Sequence, residues 1–117
     1  MIRPANECKV EYRERMKDGR GTVKLTSLID GPDDLANRGR LFSRITLEPG
    51  CSIGYHEHTG ERELFYILSG TASYTDGDGT VLEVHAGDVT ICPGGMGHGI
   101  ANSGTETVEL VALVIYE

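Results

Sequence analysis

The chain has no tryptophan, and hydrophobic residues make up only 38% of its 117 positions. No apolar run reaches the roughly 18 residues that a membrane-spanning helix needs, so no membrane partner is expected. The segment Met1-Ile2-Arg3-Pro4-Ala5-Asn6-Glu7 lacks the apolar stretch of a secretory leader, and a cytoplasmic location is the expectation. Basic residues are few and unclustered, 11 against 18 acidic ones, for a net charge of −7. Nucleic-acid phosphates would be repelled by such a chain, so no nucleic-acid partner is expected. Cys8, Cys51 and Cys92 are odd in number and contain no Cys-x-x-Cys pair, which argues against a disulfide framework and for reduced thiols.

What the chain does have is glycine, 16 residues, about twice the usual share. Without a collagen-like period, that number fits many tight turns. Charged residues at 25% are ordinary for a folded domain, and the length suits one domain with a real core. From Val23 onward, short apolar runs alternate with turn residues. The pattern predicts strands over Val23 to Leu28, Leu41 to Leu47, Ile53 to His58, Glu63 to Leu68, Thr71 to Thr75, Thr80 to Val84, Val89 to Cys92, His98 to Ala101 and Val108 to Tyr116. Asp76-Gly77-Asp78-Gly79 is a hairpin turn. Read as the start of a calcium loop, it would place Gly87 where the loop needs a glutamate, so an EF-hand is rejected. One short helical turn fits within Asp33 to Arg40. Evenly spaced short strands predict an all-β sandwich or closed barrel over residues 23–117. Residues 1–22 are charge-rich and are expected to form an N-terminal arm that packs on a neighbour, or a partly ordered tail.

Three of the four histidines fall into two patterns. The first is Gly50-x5-His56-x-His58-x4-Glu63-x6-Gly70, and the second is Gly87-x5-Pro93-x-Gly95-x2-His98-x3-Asn102. Residues two apart on a strand share a face, so His56 and His58 point the same way while Tyr55 and Glu57 point the other. The turn Thr59 to Arg62 then returns the chain antiparallel, which puts Glu63 near the histidines on the adjacent strand. His98 arrives on a third strand behind a glycine-rich approach. Imidazoles with a carboxylate suit one divalent transition metal per chain, Mn, Fe, Ni, Co or Zn, and disfavour Ca or Mg. Four protein ligands close a tetrahedral site or fill four of six octahedral positions, and spacing does not choose between them. His85 belongs to neither pattern and reads as a surface residue.

These two patterns resemble the two motifs of the cupin superfamily at every motif position from Gly50 to Asn102. The resemblance implies a single-domain jelly-roll (cupin) β-barrel with a metal inside, held by His56, His58, Glu63 and His98. The flanking regions look like small single-domain bacterial cupins of the cupin 2 type, more weakly like oxalate decarboxylases. The resemblance also implies a homodimer.

Alternation from Glu63 turns Phe65 and Ile67 into the lumen as an apolar wall, and Leu64, Tyr66 and Leu68 outward. An outward face this apolar needs cover from a second layer or another subunit, and a homodimer is expected. The strand Val108 to Tyr116 is apolar on both faces. Arg44 would hold a substrate carboxylate if it faces inward and is an ordinary surface or interface residue if it faces outward, the favoured orientation. The leading expectation is a metal-dependent enzyme acting on a small oxygen-rich molecule (a carboxylate, keto acid, diketone or sugar derivative) by dioxygenase, decarboxylase or isomerase chemistry. The alternatives are a metal-dependent small-molecule binding or sensing module and a purely structural metal.

Overall fold

Side-chain alternation decides which way each strand faces, and here it builds two facing sheets. The computed structural model describes residues 1–117. Its strands are β1 (Val10–Glu14), β2 (Thr22–Ser27), β3 (Gly39–Leu47), β4 (Ser52–Glu57), β5 (Glu61–Ser69), β6 (Thr71–Thr75), β7 (Val81–His85), β8 (Val89–Cys92), β9 (Gly97–Ala101) and β10 (Val108–Tyr116). One sheet has six strands in the order β1-β2-β3-β10-β5-β8, and the other has four in the order β4-β9-β6-β7. Every strand pairing is antiparallel. The nine expected strands are all present with small shifts at their ends, and the expected helical turn is a 3-10 turn at Pro32–Leu35.

The larger sheet contributes Val23, Leu25, Ile45, Leu47, Phe65, Ile67, Val108, Leu110 and Ala112 to the core, and the smaller one contributes Ile53, Ala72, Tyr74, Val84 and Ile100. On β10 the buried positions are Val108, Leu110, Ala112 and Val114, with Glu109, Val111, Leu113 and Ile115 partly exposed on the other face. Fully burying one such aliphatic side chain contributes about 1.5–3 kcal/mol, so these two layers account for most of the favourable energy of the fold. Asn102 pins the corner between β9 and β10. Its side chain is buried, donates to the carbonyls of Leu47 and Glu106 at 2.8 and 2.7 Å, and accepts from the Gly104 amide at 3.0 Å.

Two features differ from the sequence pattern. First, the N-terminal 22 residues contain a strand: β1 pairs along its whole length with β2, Val10 opposite Thr26 through Glu14 opposite Thr22. All five of its residues are exposed, so no apolar period marks it. Second, β4 and β5 are not neighbours in one sheet. The turn after β4 carries the chain across the sandwich, and β5 pairs with β10 and β8 in the opposite sheet. Glu63 therefore reaches the histidines from the facing layer rather than from an adjacent strand.

Candidate metal centre

The two layers meet at a polar cluster. His56 lies on β4 and His98 on β9, and the two are directly opposed in the antiparallel register. The glycine-rich approach to β9 has a steric reason: a Cβ on Gly97 would fall 2.6 Å from the Tyr55 ring that lies over it. His58 follows β4 and is fixed by its backbone, its amide donating to the Met96 carbonyl at 3.0 Å and its carbonyl accepting from the Gly95 amide at 2.7 Å. Glu63 comes from β5 across the gap.

The four side chains converge on one point, with a ligand atom from each lying within 4.8 Å of the others. Glu63 Oε1 is 2.8 Å from His98 Nε2, 3.1 Å from His58 Nε2 and 3.7 Å from His56 Nε2. The Nε2 atoms of His58 and His98 are 3.3 Å apart. His58, Glu63 and His98 are buried and His56 is partly so. Burial alone would raise the Glu63 carboxyl, but the three imidazoles around it prevail and hold it at about 2. Burial lowers His98 against the pull of Glu63, so this ring favours its neutral form.

The outward nitrogens decide the tautomers. His56 Nδ1 lies 2.8 Å from the Gly54 carbonyl, which can only accept, so Nδ1 carries the proton. His58 Nδ1 lies 3.1 Å from Glu61 Oε1. The paired Arg40 guanidinium and the His58 ring hold the Glu61 carboxyl at about 2, so it too is an acceptor near neutral pH. His98 Nδ1 lies 2.9 Å from the Tyr74 hydroxyl, whose pKa burial pushes up to about 12. In the neutral rings, His56 and His58 must present bare Nε2 lone pairs to an ionised carboxylate. Such an array is repulsive unless a proton or a metal cation sits among its members. A metal-bound imidazole whose other nitrogen donates to a carboxylate or carbonyl is the usual arrangement, and the donor set here fits a divalent transition metal. These four residues could bind one metal ion.

Around this point lies a small cavity of about 60 Å3, lined by Arg13, Met16, Lys17, Arg40, Leu41, Ile45, Ile53, His56, His58 and Glu63. It shares Arg13, Arg40 and Leu41 with a wider, more open groove of about 560 Å3 on the inner side of β1, β2 and β3. Arg40 makes a two-pronged ion pair with Glu61, Nε and Nη2 each donating at 2.7 Å. The order Arg40, Glu61, His58, metal point is a continuous chain of contacts.

Phe65 and Ile67 are buried as alternation requires. The Phe65 ring stacks on His98 with centroids 4.9 Å apart and planes at 16°, so it walls the site. Ile67 sits in the core and does not line the cavity. Arg44 takes no part in the site: it points outward, where its Nε donates to Glu109 Oε2 at 2.7 Å. The inward face of β3 belongs to Leu41, Ser43, Ile45 and Leu47, one residue out of phase with Arg44. Cys51 and Cys92 are buried free thiols, and His85 is an exposed partner of Glu83. Arg40, Glu61 and Tyr74 were not singled out by the sequence patterns. Alternation from Glu63 does put Glu61 on the same face, which is the one signal that could have found it.

Comparison with known proteins agrees with this geometry. The model of the cupin domain family matches residues 43–116. The oxalate-binding protein of Thermotoga maritima is 36% identical over 115 residues, covering 98% of this chain and 93% of that protein. Oxalate decarboxylase of Bacillus subtilis is 38% identical over 77 residues, which span 62% of this chain but only 20% of the decarboxylase. Among solved structures, one described as a predicted oxalate decarboxylase from Thermotoga maritima superposes with a TM-score of 0.94 at 35% identity, covering all of both chains. With its motifs, its paired sheets and its family match in accord, the chain belongs to the cupin family.

Proposed function

We propose that this chain binds one divalent transition metal (Mn, Fe, Co, Ni or Zn) through His56, His58, Glu63 and His98 and, on that metal, a small carboxylate of oxalate's size. The carrying observation is the convergence of the Nε2 atoms on Glu63 while the Nδ1 atoms of His56 and His58 face fixed acceptors. The cavity of about 60 Å3 supports a ligand of only a few heavy atoms, since drug-sized pockets run to about 300 Å3 or more. Its wall carries Arg13, Lys17 and Arg40, a basic lining that suits an anion in a chain of net charge −7. The oxalate-binding protein from Thermotoga maritima, similar along nearly its whole length, points to the same class of ligand.

A metal held by His56, His58, Glu63 and His98 would supply Lewis acidity to a bound carboxylate. Phe65 fixes the His98 ring by stacking and excludes water from that side. Glu61 keeps the proton of His58 on Nδ1, and Arg40 holds Glu61 in place.

Decarboxylation is the second reading, favoured by the 38% identity to oxalate decarboxylase over the matched segment. Loss of CO2 from oxalate requires one proton to form the C–H bond of formate. Binding is the preferred reading, because the oxalate-binding protein matches along nearly its whole length while the decarboxylase match spans only 20% of that enzyme. The test is calorimetric titration of oxalate into metal-loaded protein, with formate assayed in the same mixture. Metal-dependent binding without formate is expected. Stoichiometric or catalytic formate supports the second reading, and absence of oxalate binding to the loaded protein overturns both.

The outer face of the larger sheet exposes Tyr66, Leu68, Val89 and Ile91 beside one another on β5 and β8. A second copy related by a twofold axis would cover this patch with its own, so a homodimer is part of the proposal. Sedimentation at micromolar concentration tests it, and a monomer there would count against it. The three unpaired thiols suit a reducing, cytoplasmic setting.

A further inference from the structure

The segment between β1 and β2 is the most strained part of the chain. Arg15, Lys17 and Asp18 all have positive φ, at 49°, 54° and 61°. Side chains at such angles cost of order 1–3 kcal/mol each and persist only where the surroundings enforce them. Here the surroundings are β4, the strand that carries His56. A Cβ on Gly54 would lie 2.0 Å from the Lys17 carbonyl oxygen, and one on Gly19 would lie 2.2 Å from the Ser52 carbonyl oxygen. Both contacts need glycine. The Ser52 hydroxyl accepts from the Arg20 amide at 2.8 Å, and the Ser52 amide donates to the Arg20 carbonyl at 2.8 Å. The turn is therefore clamped onto the metal-bearing strand, and Met16 and Lys17 become part of the cavity wall. Arg13, opposite the fully buried Val23, faces inward and lines the same wall.

The charges at this wall differ in how far they are committed. Arg40 is held by both oxygens of Glu61. Arg13 has one exposed partner, Glu11, at 2.9 Å. Lys17 has no ion pair. Two basic residues, Arg13 on β1 and the unpaired Lys17 on the strained turn, thus line the same small cavity as His56, His58 and Glu63.

We infer that the end of β1 and the strained turn after it form the specificity element of the site: Arg13 and Lys17 bind the carboxylate oxygens that face away from the metal, and so select a small dianion over a monoanion. This rests on reading the site as a metal-bound carboxylate site. It gives the N-terminal residues a role in covering the cavity of their own chain. A carboxylate anchored on the metal alone needs only the four ligands. A dicarboxylate has outer oxygens as well, and those need donors within the small cavity.

The test is calorimetric binding of oxalate, with formate as the monoanion, to manganese-loaded wild type, Arg13→Gln and Lys17→Asn, with manganese content measured in each. Asparagine tolerates the left-handed backbone at position 17, so Lys17→Asn removes the charge without the turn. Oxalate affinity should fall about tenfold in each variant, as expected for loss of a charge-assisted hydrogen bond. Formate affinity should change less than twofold, and manganese content should match wild type. Lys17→Arg should restore most of the oxalate affinity. If wild type binds oxalate and both variants bind it equally well, the inference is overturned while the carboxylate reading stands. If loaded wild type binds neither anion, the carboxylate reading fails and takes this inference with it.

Discussion

The two halves of the space between the sheets obey different rules. In one half, Leu47, Ile67, Ile100, Val108 and Leu110 are almost wholly buried against each other and present no polar side-chain atom. That half is complete as it stands. In the other half, three imidazoles and a carboxylate crowd together, with the Nε2 atoms of His58 and His98 3.3 Å apart, next to a basic wall. It has the ligands to bind one metal ion. The contrast separates stability from function within a single small domain: the apolar half holds the sheets together, and the polar half is held in place by them for a ligand to finish.

The sharpest way to break this comparison is to remove the cation. At a metal concentration a thousandfold above Kd, binding adds about 4 kcal/mol to the folded state, so chelation should lower the thermal midpoint of wild type markedly. His98→Ala should melt at the same temperature with and without chelator. A metal-independent midpoint for wild type would remove the distinction between the halves.

The complementary change is Leu110→Ala, in the apolar half. Deleting a fully buried leucine side chain costs about 2–5 kcal/mol. Stability in denaturant should fall by that amount while the metal content per folded chain stays unchanged. Loss of metal in this variant would show that the halves are not separable.

Glu61→Ala probes the support behind the metal point. Without the acceptor at His58 Nδ1, metal affinity should drop about 10–100-fold, measured by competition with a chromophoric chelator. An unchanged affinity would mean that the Arg40–Glu61 pair is a surface bridge and nothing more.

Acid should act on the polar half through His98, Glu61 and Glu63. In chelator, the folded chain takes up the His98 proton less readily than the unfolded chain, whose histidine titrates near 6.5. This contribution is full above about pH 6.5 and is lost as pH falls through the lower folded value. Glu61 and Glu63, held at about 2 against 4.5 unfolded, add a second loss between those values. Chemical denaturation at stepped pH reads both. Stability that rises as pH drops from 7 to 5 would contradict the lowering of His98 by burial.

The smallest effect belongs to Arg44→Gln. An exposed ion pair contributes about 0–1 kcal/mol, so stability should shift by less than about 0.5 kcal/mol and anion binding should not change. A large loss of oxalate affinity would return Arg44 to the site.

The unequal legibility of the sequence follows the same division. The strands from Val23 onward could be read because each buries one face, and alternation records that burial. His56, His58, Glu63 and His98 could be read because two-residue spacing and turn glycines mark them. β1 could not, because all five of its residues stay exposed and its pairing depends on β2 alone. Arg40 and Glu61 looked like turn residues, since their importance lies in a contact between β3 and β5 that crosses a sheet and leaves no local period. The strained turn was hidden more thoroughly. Its position is set by what Gly19 and Gly54 lack, and only the packed structure shows what a side chain there would strike.

The most direct measurement is the transition-metal content of the chain purified without an affinity tag, by plasma mass spectrometry, with His98→Ala alongside. One metal ion per wild-type chain and none above background in the variant is the predicted result. Folded wild-type protein that takes up none of Mn, Fe, Co, Ni or Zn when incubated with an excess of each at neutral pH would contradict it.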